Sequence, residues 1–320
     1  MVTTTNGPVD TSELGITLMH EHIFVNLQRE FREDGVLHDP ELQLQEIQRF
    51  KDAGGGTIVD VTPMNIRCMS PLVIRRLSEE SGLHVILGTG LYRDPYNDRE
   101  WLDRTSTDEL ADIMVRELEE GIDGTGVRAG IIGEIGCNND YLSAGEERSF
   151  RAAARAHLRT GVTITTHATR WPVGLLQLDV FESEGVDPRR VVIGHCDSVP
   201  STDFHETVAR RGAFVEFDLI RGKTEYDTNR VVNYVRELIR KGFLEHILLS
   251  QDMGFRSGLH IFGGPGYDFI LTTFVHHLRE AGVTQDELDV ILISNPARAL
   301  ENAAQSTFSS KAPASLATAK

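Results

Sequence analysis

No apolar run in the 320 residues approaches the roughly 18 that span a bilayer, so no membrane-spanning helix is expected. Residues 1–15 lack the basic-then-apolar order of a secretory signal. Cysteine is scarce. Cys68, Cys137 and Cys196 form neither a CxxC pair nor an even set, which leaves no disulfide framework to infer and makes a reducing cytoplasm the expected compartment. Basic charge is in deficit, with 32 Lys and Arg against 48 Asp and Glu and a net charge of −16. The arginines are scattered, and such a chain repels a phosphate backbone, so nucleic acid is not an expected partner. No GxGxxG follows an apolar run, which removes the signature of a dinucleotide site.

What the chain does have is a repeated alternation. Short β-branched runs occur at 17–22, 57–62, 84–90, 130–136, 162–167, 191–197, 214–219 and 247–252. Stretches of helical periodicity lie between most of them, among them 41–52, 71–81, 108–120, 146–159 and 228–241, with Gly54, Gly82, Gly121, Gly161 and Gly242 as stop signals. Near-continuous apolar strands alternating with amphipathic helices predict a parallel sheet covered on both faces. Eight such units predict an α/β protein of the (β/α)8 TIM-barrel class. One barrel domain over residues 1–305 accounts for the pattern, and the low-complexity end, residues 306–320, reads as a disordered tail.

In a barrel, chemistry sits at the C-terminal rim of the strands. His20 and His22 end the first run, two residues apart and therefore expected on one face; Glu134 comes late in the fourth, His167 ends the fifth, His195 lies near the end of the sixth and Asp252 closes the eighth. Each alone reads as a hydrogen-bonded rim residue. Four imidazoles and two carboxylates together, each behind an apolar strand, carry a desolvation cost that a divalent cation would offset. Nitrogen and oxygen donors without spaced thiolates point to zinc first, with manganese, cobalt or iron as alternatives. Six ligands suit two ions sharing a bridging carboxylate. Glu21 should face away from the pair and act structurally.

The ordered set TLxHEH, GEIG, TTHA, IGHxD and LLSxD resembles the phosphotriesterase-like branch of the amidohydrolase superfamily, and nearly the whole chain is covered. The stretches GTGLY (88–92), GGPGYDFIL (263–271) and NPARAL (295–300) resemble the phosphotriesterase homology group within it. The resemblance implies that His20, His22 and Asp252 hold one metal, that His167 and His195 hold the other, and that Glu134 bridges them. It also implies a homodimer. The better-known phosphotriesterases bridge their metals with a carboxylated lysine on the fourth strand. No lysine occurs at 129–138, and Glu134 is the substitute, which turns the expectation away from efficient hydrolysis of synthetic phosphotriesters.

The resulting expectation is a metal-dependent hydrolase in which a metal-bridging hydroxide attacks an ester, lactone or amide and Asp252 accepts a proton. Loop residues Tyr92, Lys223, Arg256 and Tyr267 are the candidates for substrate binding; Lys223 and Arg256, with Arg221, either offer charge to an anionic substituent on a small molecule or are solvated loop cations paired with Glu225, Asp227 or Asp218. Phosphotriester hydrolysis as the main activity is the alternative. From a different class, Glu134 and Glu216 occupy the fourth and seventh runs, the places of the two carboxylates of a retaining glycosidase, but that reading leaves four histidines unexplained.

Overall fold

The computed structural model describes residues 1–302, so the expected tail at 306–320 lies outside the described residues. Eight parallel strands follow one another in chain order: β1 (Ile16–Glu21), β2 (Gly55–Asp60), β3 (His84–Thr89), β4 (Ile131–Gly136), β5 (Ile164–His167), β6 (Val191–Ile193), β7 (Phe214–Phe217) and β8 (Ile247–Leu249). The ring closes between β8 and β1 by a few specific bonds. Asp252 N donates to His20 O at 3.0 Å, and His20 N donates to Ser250 Oγ at 2.8 Å. The Glu21 carboxylate accepts from Ser250 Oγ (2.7 Å), Gln251 N (2.8 Å) and Met253 N (2.8 Å). Glu21 therefore stitches the seam, and its burial pushes the carboxyl up to about 7.

The helices cover the ring where capping signals start them. Asp39 accepts from Glu41 N and Leu42 N to begin α1 (Pro40–Asp52), Ser70 begins α2 (Pro71–Ser81), and a Ser106/Glu109 box begins α3 (Thr107–Glu119). A Ser143/Glu146 box opens α4 (Ala144–Thr160). The remaining principal helices are α5 (Gly174–Ser183), α6 (Thr202–Arg210) and α7 (Glu225–Arg240). Gly82 and Gly161 end their helices in the left-handed conformation.

The lower half of the barrel is filled by Met19, Val59, Ile86, Ile131, Val192, Phe214 and Leu248, with Val2, Leu14 and Leu300 packed below them. A larger apolar shell lies between strands and helices. Each fully buried side chain of this kind contributes about 1.5–3 kcal/mol, so the interior below the rim is committed to packing and polar chemistry is confined above it. The last three strands are shorter than the sequence pattern suggests. β6 stops at Ile193 and β8 at Leu249 because His195 (φ 54°) and Asp252 (φ 48°) lie beyond them in left-handed backbone that has already left the ladder. Among the described residues, no helix is long and apolar enough to cross a membrane.

Candidate metal centre

Departures from regular strand geometry place the rim side chains. Leu18 pairs with Ile58 and Glu21 with Asp60, so three steps along β1 oppose two along β2, a bulge that contains His20. β4 does the same against β5. Ile132 pairs with Ile164 and Ile135 with Thr166, so Gly133 and Glu134 occupy a second bulge. A Cβ on Gly133 (φ 117°) would fall 2.1 Å from Thr165 O, and one on Gly194 would fall 2.2 Å from Thr166 O. Glycine is thus required directly before both Glu134 and His195.

The six side chains converge. Glu134 Oε2 lies 3.2 Å from His20 Nε2, 3.0 Å from His167 Nδ1 and 3.6 Å from His195 Nε2, and its Oε1 lies 3.3 Å from His22 Nε2. Asp252 Oδ1 is 3.2 Å from His22 Nε2. His167 Nδ1 and His195 Nε2 face each other at 2.7 Å. The atoms form two trios of potential ligands that share Glu134: His20 with His22, and His167 with His195. All the histidines and Glu134 are buried.

Behind the cluster, each ring is held by its other nitrogen. His22 Nδ1 bonds Thr62 Oγ1 at 2.8 Å, and Thr62 is in turn bonded to buried Asp60. His195 Nδ1 lies 2.7 Å from Asp218 Oδ1. His20 Nδ1 lies 3.2 Å from both Glu216 Oε2 and Asp218 Oδ2, and His167 Nε2 lies 2.8 Å from Thr169 Oγ1. One nitrogen anchored and the other aimed at a shared volume is the arrangement of metal-binding imidazoles. A further observation supports the fit: His20 Nε2 is buried and makes no hydrogen bond, because its approach to Glu134 lacks the geometry of one. The donor set suits divalent cations.

The electrostatics favour positive charge at the same place. Burial alone would lower the imidazoles, but Asp218 and Glu134 raise His20 well above the ordinary value, the carboxylates Asp252 and Glu134 raise His22 to about 9, and Asp218 and Glu134 raise His195 to about 10. His167 goes the other way, down to about 4, through burial and the neighbouring His195. Burial would raise the Glu134 carboxyl, yet His167 and His20 hold it well below its usual range.

A cavity of about 540 Å³ opens above the cluster, with His22, His167 and Asp252 in its floor. Tyr92 lines it, its ring edge-on to His167 with centroids 4.8 Å apart, and Lys223 lines it from the loop after β7. The other two candidate substrate residues are not brought there. Tyr267 has no exposed surface, and its hydroxyl donates to His22 O (2.8 Å) and Gln43 Oε1 (3.0 Å), so it backs the site from below. Arg256 turns outward over the Phe262 ring, 3.7 Å from Glu33, because the loop after β8 folds back onto the loop after β1. Glu216, also without exposed surface, lies under His20 rather than facing a sugar site.

Sequence reasoning missed Asp218 as a partner of the histidines and took it for a neutraliser of loop cations. The signal was available, since Asp218 follows an apolar strand as Asp252 does. Arg221 contacts Asp252 Oδ2 and donates to Gln251 O (2.9 Å) and Asp252 O (2.7 Å). Burial would raise the Asp252 carboxyl, but Arg221, His22 and His195 together hold it well below its usual range.

A sequence profile of the phosphotriesterase family matches residues 1–300. The phosphotriesterase homology protein of Escherichia coli is 36% identical over 286 residues, covering 89% of this chain and 97% of that protein. Its crystal structure, with phosphate in the active site, aligns with a TM-score of 0.87 at 35% identity over 90% of this chain and 99% of that one. Human N-acetyltaurine hydrolase is 30% identical over 341 residues, covering 92% of this chain and 96% of that protein. A lactonase from Listeria monocytogenes aligns with a TM-score of 0.89 at 28% identity, covering 95% of this chain and 99% of that one.

Proposed function

The chain belongs to the phosphotriesterase family of metal-dependent hydrolases, and from that premise we propose that it binds two divalent ions, zinc first, and hydrolyses a small ester, lactone or amide that carries an anionic group. The observation that carries this reading is the convergence of four imidazoles and two carboxylates beneath one cavity, with His22, His167 and Asp252 in its floor. His20, His22 and Asp252 would hold one ion, His167 and His195 the other, with Glu134 between them. When bound, such ions supply the positive charge that acidifies a water molecule and polarises the scissile bond.

The chain's own residues do the rest. Asp252 accepts the proton of the attacking water, and Arg221 keeps its carboxylate ionised for that purpose. Asp218, Thr62 and Thr169 fix the orientations of His195, His22 and His167. Tyr92 walls the cavity over His167 and excludes water from one side. Lys223 offers charge to an anionic substituent. The relatives named for lactone and N-acetyltaurine hydrolysis support this substrate class. The phosphate in the active site of the Escherichia coli relative favours phosphotriester hydrolysis as the second reading. The three cysteines are unpaired, which supports a reducing, cytoplasmic location.

Elemental analysis combined with a hydrolysis screen tests the reading. Two equivalents of metal are expected, with activity on lactones, N-acyl amino acids or N-acyl amino sulfonates that is lost on chelation and restored by zinc or manganese. Activity confined to aryl phosphotriesters would replace it with the second reading, and metal-independent glycosidase activity would overturn both.

A further inference from the structure

We propose that Arg170, on the loop after β5, recognises the anionic group of the substrate together with Lys223, so that the substrate's charged end lies over the β5–β7 side of the rim. Its uncharged end then faces Phe31 and Phe255. This rests on the reading above only for the reaction; the anion site itself rests on the charge balance of the cavity.

Four cationic side chains line that cavity: Arg93, Arg170, Arg221 and Lys223. Two are already neutralised. Arg93 makes a two-point contact with Glu30, at 3.1 Å through Nη1 and a closer one through Nη2, and also bonds Asn138. Arg221 is engaged by Asp252 and two carbonyls. Among the described residues, no carboxylate comes within 4.0 Å of Arg170 or Lys223, whereas Arg93 and Arg221 each have one. Of the Lys and Arg side chains that line the cavity, these two alone carry charge that no carboxylate within 4.0 Å compensates, and they stand beside the metal cluster rather than in it.

The backbone of Arg170 is held in position by the metal-site histidines. Its φ of 73° lies in the left-handed region, which an L side chain adopts only at a cost. Arg170 N donates to Ser198 Oγ at 2.7 Å, and that hydroxyl donates to His195 O at 2.7 Å. The preceding Thr169 bonds the ring of His167 at 2.8 Å. The position of the guanidinium is therefore coupled to His167 and His195. β5 stands half-way round the ring from β1, whose loop carries Phe31, and Phe31 packs edge-on to Phe255 with centroids 4.8 Å apart. A planar guanidinium suits an oxyanion with two accessible oxygens, whether carboxylate, sulfonate or phosphate.

Calorimetric titration of the zinc-loaded protein with propane-1-sulfonate, a weak metal ligand, tests the site, with butyrate and propyl phosphate as comparison arms. Arg170→Gln and Lys223→Gln should each raise the sulfonate Kd roughly tenfold, while Arg256→Gln leaves it unchanged. In matched pairs of anionic and uncharged esters, Arg170→Gln should lower kcat/KM for the anionic member alone. An unchanged Kd in Arg170→Gln, or no sulfonate binding by the wild type, overturns the proposal. If the variants weaken sulfonate but the wild type hydrolyses no anionic ester, lactone or amide, the reaction assigned above falls and the anion site stands. If such substrates are hydrolysed and Arg170→Gln keeps the anionic preference, the site falls and the reaction stands.

Discussion

Asp218 grips His195 at two points: its Oδ1 lies 2.7 Å from the ring Nδ1, and its Oδ2 accepts the backbone N–H at 2.8 Å. One carboxylate thus fixes both the ring and the left-handed backbone that carries it. Asp218→Asn keeps the shape but loses the charge. The variant should fold and bind zinc about 10–100-fold less tightly, as read by competition with a chromogenic chelator. Metal affinity equal to the wild type would show that Asp218 only packs.

Arg221 sets the protonation state of Asp252. The pair depresses the Asp252 carboxyl, so its basic form persists to low pH. In Arg221→Gln the carboxyl should rise, and the acid limb of the pH–kcat/KM profile should move to higher pH while the alkaline limb stays in place. An unshifted acid limb would remove Asp252 from the role of proton acceptor.

Tyr267 is a support residue. Tyr267→Phe removes the hydroxyl that satisfies the buried His22 carbonyl and Gln43, at a cost of about 1–3 kcal/mol, read as a lower urea midpoint. KM should be unchanged, because the side chain reaches no substrate. A raised KM with unaltered stability would place Tyr267 in the binding site after all.

Acid sensitivity should have a source away from the metal cluster. His205 is buried among Phe204, Phe217 and Tyr234, with Nε2 on Cys196 O at 2.8 Å, and burial lowers it to about 4. Between pH 6.5 and 4 the unfolded chain binds a proton at this imidazole that the folded chain does not. Stability is therefore full above 6.5 and falls as pH drops, at about 1.4 kcal/mol per unit and about 3 kcal/mol over the window. His205→Gln should lose one proton from the slope of unfolding free energy against pH, measured by denaturant titration at pH 7, 6 and 5. Parallel slopes would refute the assignment.

The barrel was legible because its causes are local and repeated. Apolar runs such as 57–62 and 84–90 can bury both faces only in a covered parallel sheet, and Asp39, Ser143 and their glycine stops mark helix ends wherever they occur. The six rim residues were legible for a related reason: a polar side chain at the end of an apolar strand has one place to go. What followed the strands was less so. Arg256 and Tyr267 share a loop with no periodicity, and their directions follow from its fold onto the loop after β1, where Ser257 bonds Asp34. Asp218 and Glu216 were visible as residues but not as partners of His20 and His195, since their distances depend on curling the sheet until β1 faces β7.

By itself, then, the sequence determined which residues are buried, how many strands close the ring and which imidazoles and carboxylates stand at its rim, because strand period and hydrophobicity act at short range. Only the tertiary structure decided that they meet. The bulges at His20 and Glu134, the left-handed turns at His195 and Asp252, and the carboxylate of Asp218 between two rings are set by contacts between different strands of the closed ring. No local preference encodes them; they persist because the closed sheet over-determines backbone that would otherwise relax.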